Sequence, residues 1–404
     1  MNENKKLVVL STLFTLNLCS ATLIAGDFKT HIQYPDLTTG KAFGLNTNSS
    51  HKLLFYTGTK DDKTVNGYFR SSHFLGWTKH NFHPLEPYST EAKRIVAVAD
   101  GPANHTLVLS HVDGYGQLIS ASNSGKDWDT KRILVSGAYF NNLTSTYAAG
   151  MHGVIAYGTA QSSYIMSNDS MNWYSWQLPN GCKTDECTFE NKYLGDDGAN
   201  KLVLIQTTKG FYDNNVLYHS TNYYDWYKDE VPFNQESIQH VFKAQHSLMA
   251  VDTVDKNKNH KLWLSDDLSN WKSFDLPQDA TLADLVMANK RIELLLVHTN
   301  TIIPDLPPPP AHPCDPLPKE PDSSNGSTDD QCHAGHGLSD SKSIVEGLVT
   351  DHAYLDPETN SIHLIQQFAG EISHLKYLDD KLYLVGNFTN SSDNKNSILA
   401  GGSV

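Results

Sequence analysis

Short runs of hydrophobic residues alternate along this chain with polar turn residues, and stretches with helical periodicity are hard to find. The runs RIVAVA, HTLVLSHV, GVIAYGT, KLVLIQTT and SLMAVDTV are rich in β-branched and aliphatic residues and are separated by Gly, Asn and Asp. Apolar runs of this length between turn-forming residues are typical of β-strands. The pattern therefore predicts an all-β protein.

A seven-residue motif recurs five times between residues 71 and 271, as SSHFLGW, SNSGKDW, SNDSMNW, STNYYDW and SDDLSNW. Each copy follows a strand-like run and places Ser six residues before Trp. These pairs are Ser71 and Trp77, Ser122 and Trp128, Ser167 and Trp173, Ser220 and Trp226, and Ser265 and Trp271. The tryptophans are 51, 45, 53 and 45 residues apart. About four short strands in each repeat of this length indicate the blades of a β-propeller.

Each position of the motif has a predicted structural task. Ser and the following Asn or Asp bond nearby backbone groups and hold a tight turn between the third and fourth strands of a blade. Trp then begins the fourth strand and packs toward a neighbouring blade. We therefore interpret the motif as structural, and we expect binding to occur on loops between the repeats.

Two further blades are predicted without the motif. Residues 282–368 supply one, interrupted by a long excursion, and residues 371–402 supply three strands of another. The N-terminal stretch at 27–40 can provide the missing fourth strand and close the ring. The prediction is a single propeller over residues 27–404, with about seven four-stranded blades closed by N- and C-terminal strands; six and eight blades stay open as alternatives.

The motif resembles the Asp-box, or BNR, repeat of sialidase-like propellers, Ser-x-Asp-x-Gly-x-x-Trp. It is also similar to the S-x-D-L-x-N-W turns of glycoside hydrolase families 43 and 32, and SDDLSNW is the nearest match. Here Trp comes one residue earlier than in the Asp-box, and only Asp169 and Asp267 fill the Asp position. The resemblance implies propeller architecture and leaves the function open, because such propellers include glycosidases, receptors, assembly factors and lectin-like binders.

The residues that catalyse in these enzymes are poorly represented. Sialidases carry Arg-Ile-Pro and three arginines for a carboxylate, whereas this chain has Arg94-Ile95-Val96 and only Arg70, Arg132 and Arg291 besides. Family 43 and 32 enzymes need acidic residues on inner strands, for which Asp36 and Asp100 are candidates. The sequence thus assigns no catalytic or ligand-binding residue and favours a protein that is not an enzyme; if it is one, a glycosidase is expected.

The first 26 residues have the features of a signal peptide. Lys5 and Lys6 precede the apolar run Leu7–Leu18, and small residues follow. Of the five cysteines, Cys19 lies in this segment, and the other four form an even set, as expected in an oxidising compartment. We favour the local pairings Cys182 with Cys187 and Cys314 with Cys332 over the other combinations. The mature protein is predicted to be soluble and secreted or periplasmic.

Residues 302–341 are Pro-rich and then rich in Ser, Asp and Gly, and they are predicted to form an insertion within the propeller, stapled by Cys314 and Cys332. His312, His333 and His336 gather around these cysteines, but the spacing is irregular for a metal site. The stretch from Asp255 to Asn259 alternates oxygen ligands as a calcium loop does, yet His260 stands where such loops have Gly. A solvated turn is favoured, and no metal or cofactor is predicted.

The charge of the chain narrows the class of partner. The formal net charge is −14, and there are only four arginines. An acidic, arginine-poor surface repels phosphate backbones and anionic lipids, which argues against nucleic acid as a ligand. No segment after the leader is long and apolar enough to insert into a membrane. We expect an extracellular glycan or protein as the ligand at one propeller face or in the central funnel; the oligomeric state is left open.

Two tryptophans, Trp176 and Trp263, lie outside the motif and have no predicted role in the repeat.

Overall fold

The computed structural model describes residues 28–33, 39–47, 51–74, 76–84, 94–114, 116–133, 135, 138–182, 187–209, 214–244, 248–299, 348–390 and 395–403. The predicted leader and the predicted 302–341 insertion, including Cys314, Cys332, His312, His333 and His336, lie outside these residues, as does Asp36. In the described part of the chain, no helix has the length and apolar character of a membrane span.

The first five blades are antiparallel sheets of four strands each, which follow one another in chain order. Blade 1 contains β2 (Thr39–Asn46), β3 (Lys52–Lys60), β4 (Lys63–Ser71) and β5 (Thr78–Asn81). Blade 2 contains β6 (Arg94–Asp100), β7 (Thr106–Val112), β8 (Gly116–Ser122) and β9 (Asp129–Arg132). Blade 3 contains β10 (Asn142–Ala148), β11 (Met151–Tyr157), β12 (Ser163–Ser167) and β13 (Tyr174–Gln177). Blade 4 contains β14 (Thr188–Asp196), β15 (Leu202–Lys209), β16 (Asn214–Ser220) and β17 (Tyr227–Asp229). Blade 5 contains β18 (Ser237–Lys243), β19 (Met249–Val254), β20 (His260–Ser265) and β21 (Lys272–Asp275).

The last two blades form one continuous sheet because they share a strand. Blade 6 contains β22 (Ala280–Ala288), β23 (Arg291–Thr299), β24 (Leu348–Asp356) and the first half of β25 (Ser361–Leu378). Blade 7 contains the second half of β25, followed by β26 (Lys381–Asn390), β27 (Lys395–Ser403) and β1 (Lys29–Gln33). Residues 361–369 pair with β24 and residues 369–378 with β26. Gly370 lies at this crossing with φ +109°, and a Cβ there would lie 2.4 Å from the Asn387 carbonyl oxygen. Only glycine fits such a backbone.

The seven blades close into a ring. The strands β2, β6, β10, β14, β18, β22 and the second half of β25 are innermost, and each contacts the next around the circle, with β25 contacting β2. The N-terminal strand β1 pairs with β27 from the C-terminal end and supplies the fourth strand of blade 7. The fold is a seven-bladed β-propeller, and the prediction of blade number and of closure by the two ends of the chain is confirmed.

The core is divided among the interfaces between blades. Seven clusters of buried hydrophobic side chains are present among the described residues, and each joins one blade to the next. Strand alternation explains this arrangement, because successive side chains of a strand point toward opposite neighbouring blades. In β23, for example, Leu294 packs toward blade 5 and Leu295 toward blade 7.

The five Ser…Trp motifs form the turns between third and fourth strands, and each Trp lies directly before a fourth strand. Within every turn the residue three positions before Trp has a positive φ; we call it the wedge residue. The five wedge residues are Phe74 (φ 59°), Gly125 (φ 69°), Ser170 (φ 68°), Tyr223 (φ 69°) and Leu268 (φ 68°).

The wedge residues point into the preceding blade. Phe74 stacks on Tyr383 of blade 7 with ring centroids 4.5 Å apart, and Ser170 Oγ donates to the Pro102 carbonyl of blade 2 at 3.2 Å. Leu268 is buried with side chains of blade 4. Each motif therefore joins two blades through both its Trp and its wedge residue. We name the propeller face that carries these turns the turn face.

Candidate functional site

The axial channel is lined by inner strands with a repeated irregularity. Six of the seven, β10 being the exception, break their pairing register with the second strand of the blade near mid-strand. Such bulges bend a strand and re-aim its side chains. The residues skipped by the pairing are half-buried or exposed: Phe43, Gly44, Val96, Lys192, Gln239, Ala283 and Ser373.

Carboxylates near the channel are engaged with neighbouring blades. The wholly buried Asp196 accepts from the backbone N–H of Tyr147 in blade 3 at 2.8 Å and forms an ion pair with Lys243 in blade 5. Asp284 of blade 6 accepts from the backbone N–H of Leu375 in blade 7 at 2.8 Å. These contacts tie inner strands together.

A cavity of about 200 Å³ near the axis brings Asp100 and Asp284 together with His374 and Lys376. Asp100 lies 3.8 Å from Lys376 Nζ, and Asp284 lies 3.7 Å from His374 Nδ1. A glycosidase needs two carboxyl groups that face one substrate bond. The pairing of both aspartates with basic partners favours a structural role for them over acid–base catalysis. Of the two predicted candidates, Asp100 thus lies at the channel and Asp36 outside the described residues.

The arginines that the resemblance would assign to a substrate carboxylate are used elsewhere. Arg70 on β4 donates to the Ser124 carbonyl at 2.8 Å, and Arg291 on β23 forms an ion pair with buried Glu293 at 2.8 Å. Arg94 donates to the Tyr139 hydroxyl, and Arg132 is exposed on the fourth strand of blade 2. Three of the four lie on strands other than the innermost, so they do not line the channel as a triad.

An exposed aromatic cluster lies on the turn face between blades 3 and 4. We define this aromatic groove by Tyr174, Trp176 and Tyr224. Tyr174 is 59% exposed and Tyr224 65% exposed, and the Trp176 and Tyr224 rings meet edge to face with centroids 4.7 Å apart. Aromatic rings that remain exposed in this way are ready for contact with a ligand.

Strand register explains why two of these rings share one side of blade 3. Trp176 pairs with Tyr164, and Tyr174 pairs with Met166. Tyr164 and Met166 both belong to the buried cluster between blades 3 and 4. Because paired residues on adjacent strands point to the same side of a sheet, Tyr174 and Trp176 extend that side outward to the rim.

The third ring comes from the motif turn of blade 4. Its wedge residue Tyr223 is buried, and its hydroxyl donates to the Ala148 carbonyl of blade 3. This contact fixes the turn across the interface and leaves the next residue, Tyr224, beside Trp176. Tyr218 and Trp226 pack behind the groove against the same buried cluster.

The same sector of the turn face exposes more apolar surface. The described residues include eight exposed large hydrophobic side chains, and five belong to blades 3 and 4 on the turn face: Tyr147, Met151, Tyr174, Tyr224 and Tyr227. Soluble proteins keep such patches small unless the patch has a binding role. The sector therefore has the properties of an interaction surface.

The remaining sequence candidates have structural surroundings. Cys182 and Cys187 form a disulfide, the local pairing that the sequence favours, with Cα atoms 5.4 Å apart. Asp255 Oδ1 accepts from the backbone N–H of Asn257 and Asn259 at 2.7 and 2.9 Å, so this stretch is a closed turn. Trp263 is partly buried and donates to Glu236 at 2.9 Å. Among the described residues, no group of three or more His, Cys, Asp or Glu has a geometry that would hold a metal ion.

Fold and surface together define a β-propeller whose turn face presents an aromatic groove. No family model matches the chain, and no curated protein matches its sequence. Solved structures do match. Virginiamycin B lyase from Staphylococcus aureus is similar with a TM-score of 0.51 at 11% identity, over 93% of this chain and 98% of that one. A streptogramin B lyase gives a TM-score of 0.51 at 8% identity, over 93% and 96% of the two chains. At these identities the likeness establishes the propeller fold and nothing about activity.

The sequence contained part of this site but not its position. The sequence marks Trp176 as a tryptophan without a repeat role, whereas Tyr224 belongs to a motif that predicts a structural turn. The doubled tyrosine in STNYYDW was the available signal, since a structural turn needs only one wedge residue.

Proposed function

We propose that this protein is a secreted binding protein that recognises carbohydrate through the aromatic groove. The observation that carries the proposal is the edge-to-face pair of Trp176 and Tyr224, with Tyr174 exposed on the same side of blade 3. Exposed aromatic faces stack on the apolar faces of sugar rings, and rings held by their neighbours lose little conformational freedom on binding.

The groove suits a neutral glycan better than a charged polymer. Its three defining side chains carry no formal charge, and the whole chain has a net charge of −14. The acidic surface disfavours polyanions at long range, whereas stacking and hydrogen bonds to hydroxyl groups do not depend on charge.

Two further parts of the proposal concern origin and compartment. The turn geometry supports a distant relationship to Asp-box propellers: Asp169 and Asp267 accept two backbone N–H groups each, as the Asp of such a turn should. The Cys182–Cys187 disulfide supports an oxidising compartment. We accordingly retain residues 1–26 as a signal peptide and 302–341 as an insertion closed by Cys314 and Cys332.

A glycan array probed with the full mature chain tests this function, together with a panel of chromogenic glycosides for the alternative of a glycosidase. We expect array binding that Trp176→Ala or Tyr224→Ala reduces by at least about tenfold, since stacking residues at the centre of a site each contribute more than 1 kcal/mol. Tyr139→Ala is the matched control, because Tyr139 is an exposed tyrosine outside the groove.

Three results would contradict the proposal: no glycan bound, groove variants that bind as the wild type does, or equal loss in the control. Hydrolysis of a glycoside that survives the groove substitutions and is lost in Asp284→Asn would instead assign the function to the channel.

A further inference from the structure

Blade 6 lacks the aromatic residue that joins every other blade to the one before it. In the other six blades, the residue directly before the fourth strand is aromatic and packs into the buried cluster shared with the preceding blade. These residues are Trp77, Trp128, Trp173, Trp226 and Trp271 in blades 1 to 5, and Phe28 in blade 7. In blade 6 the corresponding residue is Asn360, which is exposed.

The turn that carries Asn360 is also shorter than its counterparts. Pro357–Asn360 joins β24 to β25 with four residues, whereas Asp266–Trp271 joins β20 to β21 with six. All four residues of the short turn are exposed, so none of them acts as a buried wedge residue. The interface between blades 5 and 6 therefore receives neither an aromatic residue from before the fourth strand of blade 6 nor a buried wedge residue from its turn.

A cavity of about 690 Å³ opens at this interface on the turn face. Its base consists of apolar side chains from both blades: Leu248, Leu264 and Phe274 from blade 5, and Met287 and Ile292 from blade 6. Trp271 forms part of the wall. Asp266, Asn270 and Lys272 lie at the exposed edge.

The repeat supplies an internal comparison. The equivalent cavity between blades 2 and 3 is about 630 Å³. It is lined by equivalent positions of its own motif, which include Ser122, Asn123, Asp127 and Trp128. There the turn of blade 3 is complete and contributes Met171. The motif positions at the edge are polar in both cavities, but His105 occupies the lining position that Leu248 occupies between blades 5 and 6. The repeat therefore provides a cavity at both interfaces, and the apolar base is particular to the interface between blades 5 and 6.

We propose that the cavity between blades 5 and 6 binds a small aromatic molecule against its apolar base, at the interface where the following blade has Asn360 in place of an aromatic residue before its fourth strand. Phe274 and Trp271 are the aromatic residues of its lining, and aromatic rings interact favourably in offset and edge-to-face arrangements. The volume is within the range of small-molecule sites, and the polar edge can bond a substituent that faces solvent. This site is separate from the aromatic groove and does not depend on the glycan proposal.

Indole, the side chain of tryptophan, is the probe, and saturation-transfer NMR on the full mature chain is the measurement. We expect saturable binding to the wild type. Met287→Gln places a polar amide at the apolar base and should weaken binding by about tenfold, since the amide must be desolvated. Met171→Gln is the matched control in the equivalent cavity and should leave the affinity unchanged.

A second variant gives the apolar base an aromatic partner from the protein itself. Replacing Pro357–Asn360 with the blade 5 turn sequence DDLSNW gives blade 6 the missing aromatic and wedge residues and should abolish indole binding. The proposal is overturned if the wild type does not bind indole saturably, or if both the graft and Met287→Gln bind indole as the wild type does. It is also overturned if Met171→Gln lowers the affinity for indole as much as Met287→Gln does.

Discussion

The Phe28 ring lies edge-on against the His352 ring, with centroids 5.7 Å apart and planes at 81°. Phe28 directly precedes β1 of blade 7, and His352 belongs to the third strand of blade 6. The Asn390 side chain donates to the Phe28 carbonyl at 2.8 Å, and His352 Nε2 lies 3.0 Å from the buried carboxylate of Glu293. The aromatic residue that closes the ring is therefore held by a strand from each of the last two blades.

Phe28→Ala should strongly destabilise the fold. Phe28 is 1% exposed, and truncation of a buried Phe lowers the free energy of unfolding by about 3–5 kcal/mol. Urea denaturation followed by tryptophan fluorescence measures the change. Phe28→Leu, which keeps most of the apolar volume, is the control. It should lower the free energy of unfolding by less than half as much as Phe28→Ala does. Wild-type stability in Phe28→Ala would show that β1 does not close the ring.

The architecture could be predicted because its signal is local and repeated. A turn motif needs only its own seven residues to form, so five copies defined five blades, and apolar runs near both ends of the chain defined the closure. The wedge residues show the limit of this signal. Phe, Gly, Ser, Tyr and Leu occupy one position, because each must match the preceding blade. That blade is distant in the sequence: Ser170 and its partner Pro102 are 68 residues apart.

Two substitutions of glycine by alanine separate backbone strain from steric fit. Gly76 has φ +63°, and a Cβ there would meet nothing within 4 Å. Gly125, the wedge residue of blade 2, has φ +69°, and its Cβ would lie 2.7 Å from Leu53 Cδ2 of blade 1. Gly76→Ala should lower the free energy of unfolding by about 1 kcal/mol, the strain of a left-handed residue.

Gly125→Ala adds overpacking to the same backbone strain. It should lower the free energy of unfolding by about 1–3 kcal/mol more than Gly76→Ala does. Urea unfolding of both variants provides the comparison. Equal effects would mean that the turn of blade 2 does not press against blade 1. The double variant Gly125→Ala with Leu53→Ala tests the contact itself, since removing the Leu53 side chain should make the added methyl group less harmful than it is alone.

The candidate site was harder to predict than the fold, since it combines residues from two repeats. Trp176 and Tyr224 are 48 positions apart in the chain and meet at 4.7 Å. Their contact depends on the register of β13 and on the buried hydroxyl of Tyr223, and neither is visible in a local pattern. The cavity between blades 5 and 6 has the same character, because its apolar base combines residues from two blades.

The turn carboxylates should make stability depend on acid pH. Asp267 Oδ1 accepts from the backbone N–H groups of Ser269 and Asn270 at 2.8 and 2.7 Å, and Oδ2 accepts from the Asn270 side chain at 2.6 Å. These hydrogen bonds, led by the Asn270 backbone N–H, lower the pKa of Asp267 below its ordinary value. In the unfolded chain the pKa returns to about 3.9.

Ionised Asp267 therefore stabilises the folded state at every pH above the pKa of the unfolded chain. This stabilisation is lost as the pH falls through about 4 toward the lower pKa of the folded state. Asp267→Asn keeps an acceptor oxygen but removes the charge. We expect a lower Tm than wild type at pH 7, with a difference that shrinks steadily between pH 5 and pH 3. Differential scanning calorimetry across this range measures it. Asp266 is an exposed aspartate in the same turn, so Asp266→Asn controls for the loss of one negative charge. Two results would assign the effect to net charge and not to the hydrogen bonds of the turn. One is a Tm difference for Asp267→Asn that stays constant with pH, and the other is an equal Tm difference for Asp266→Asn.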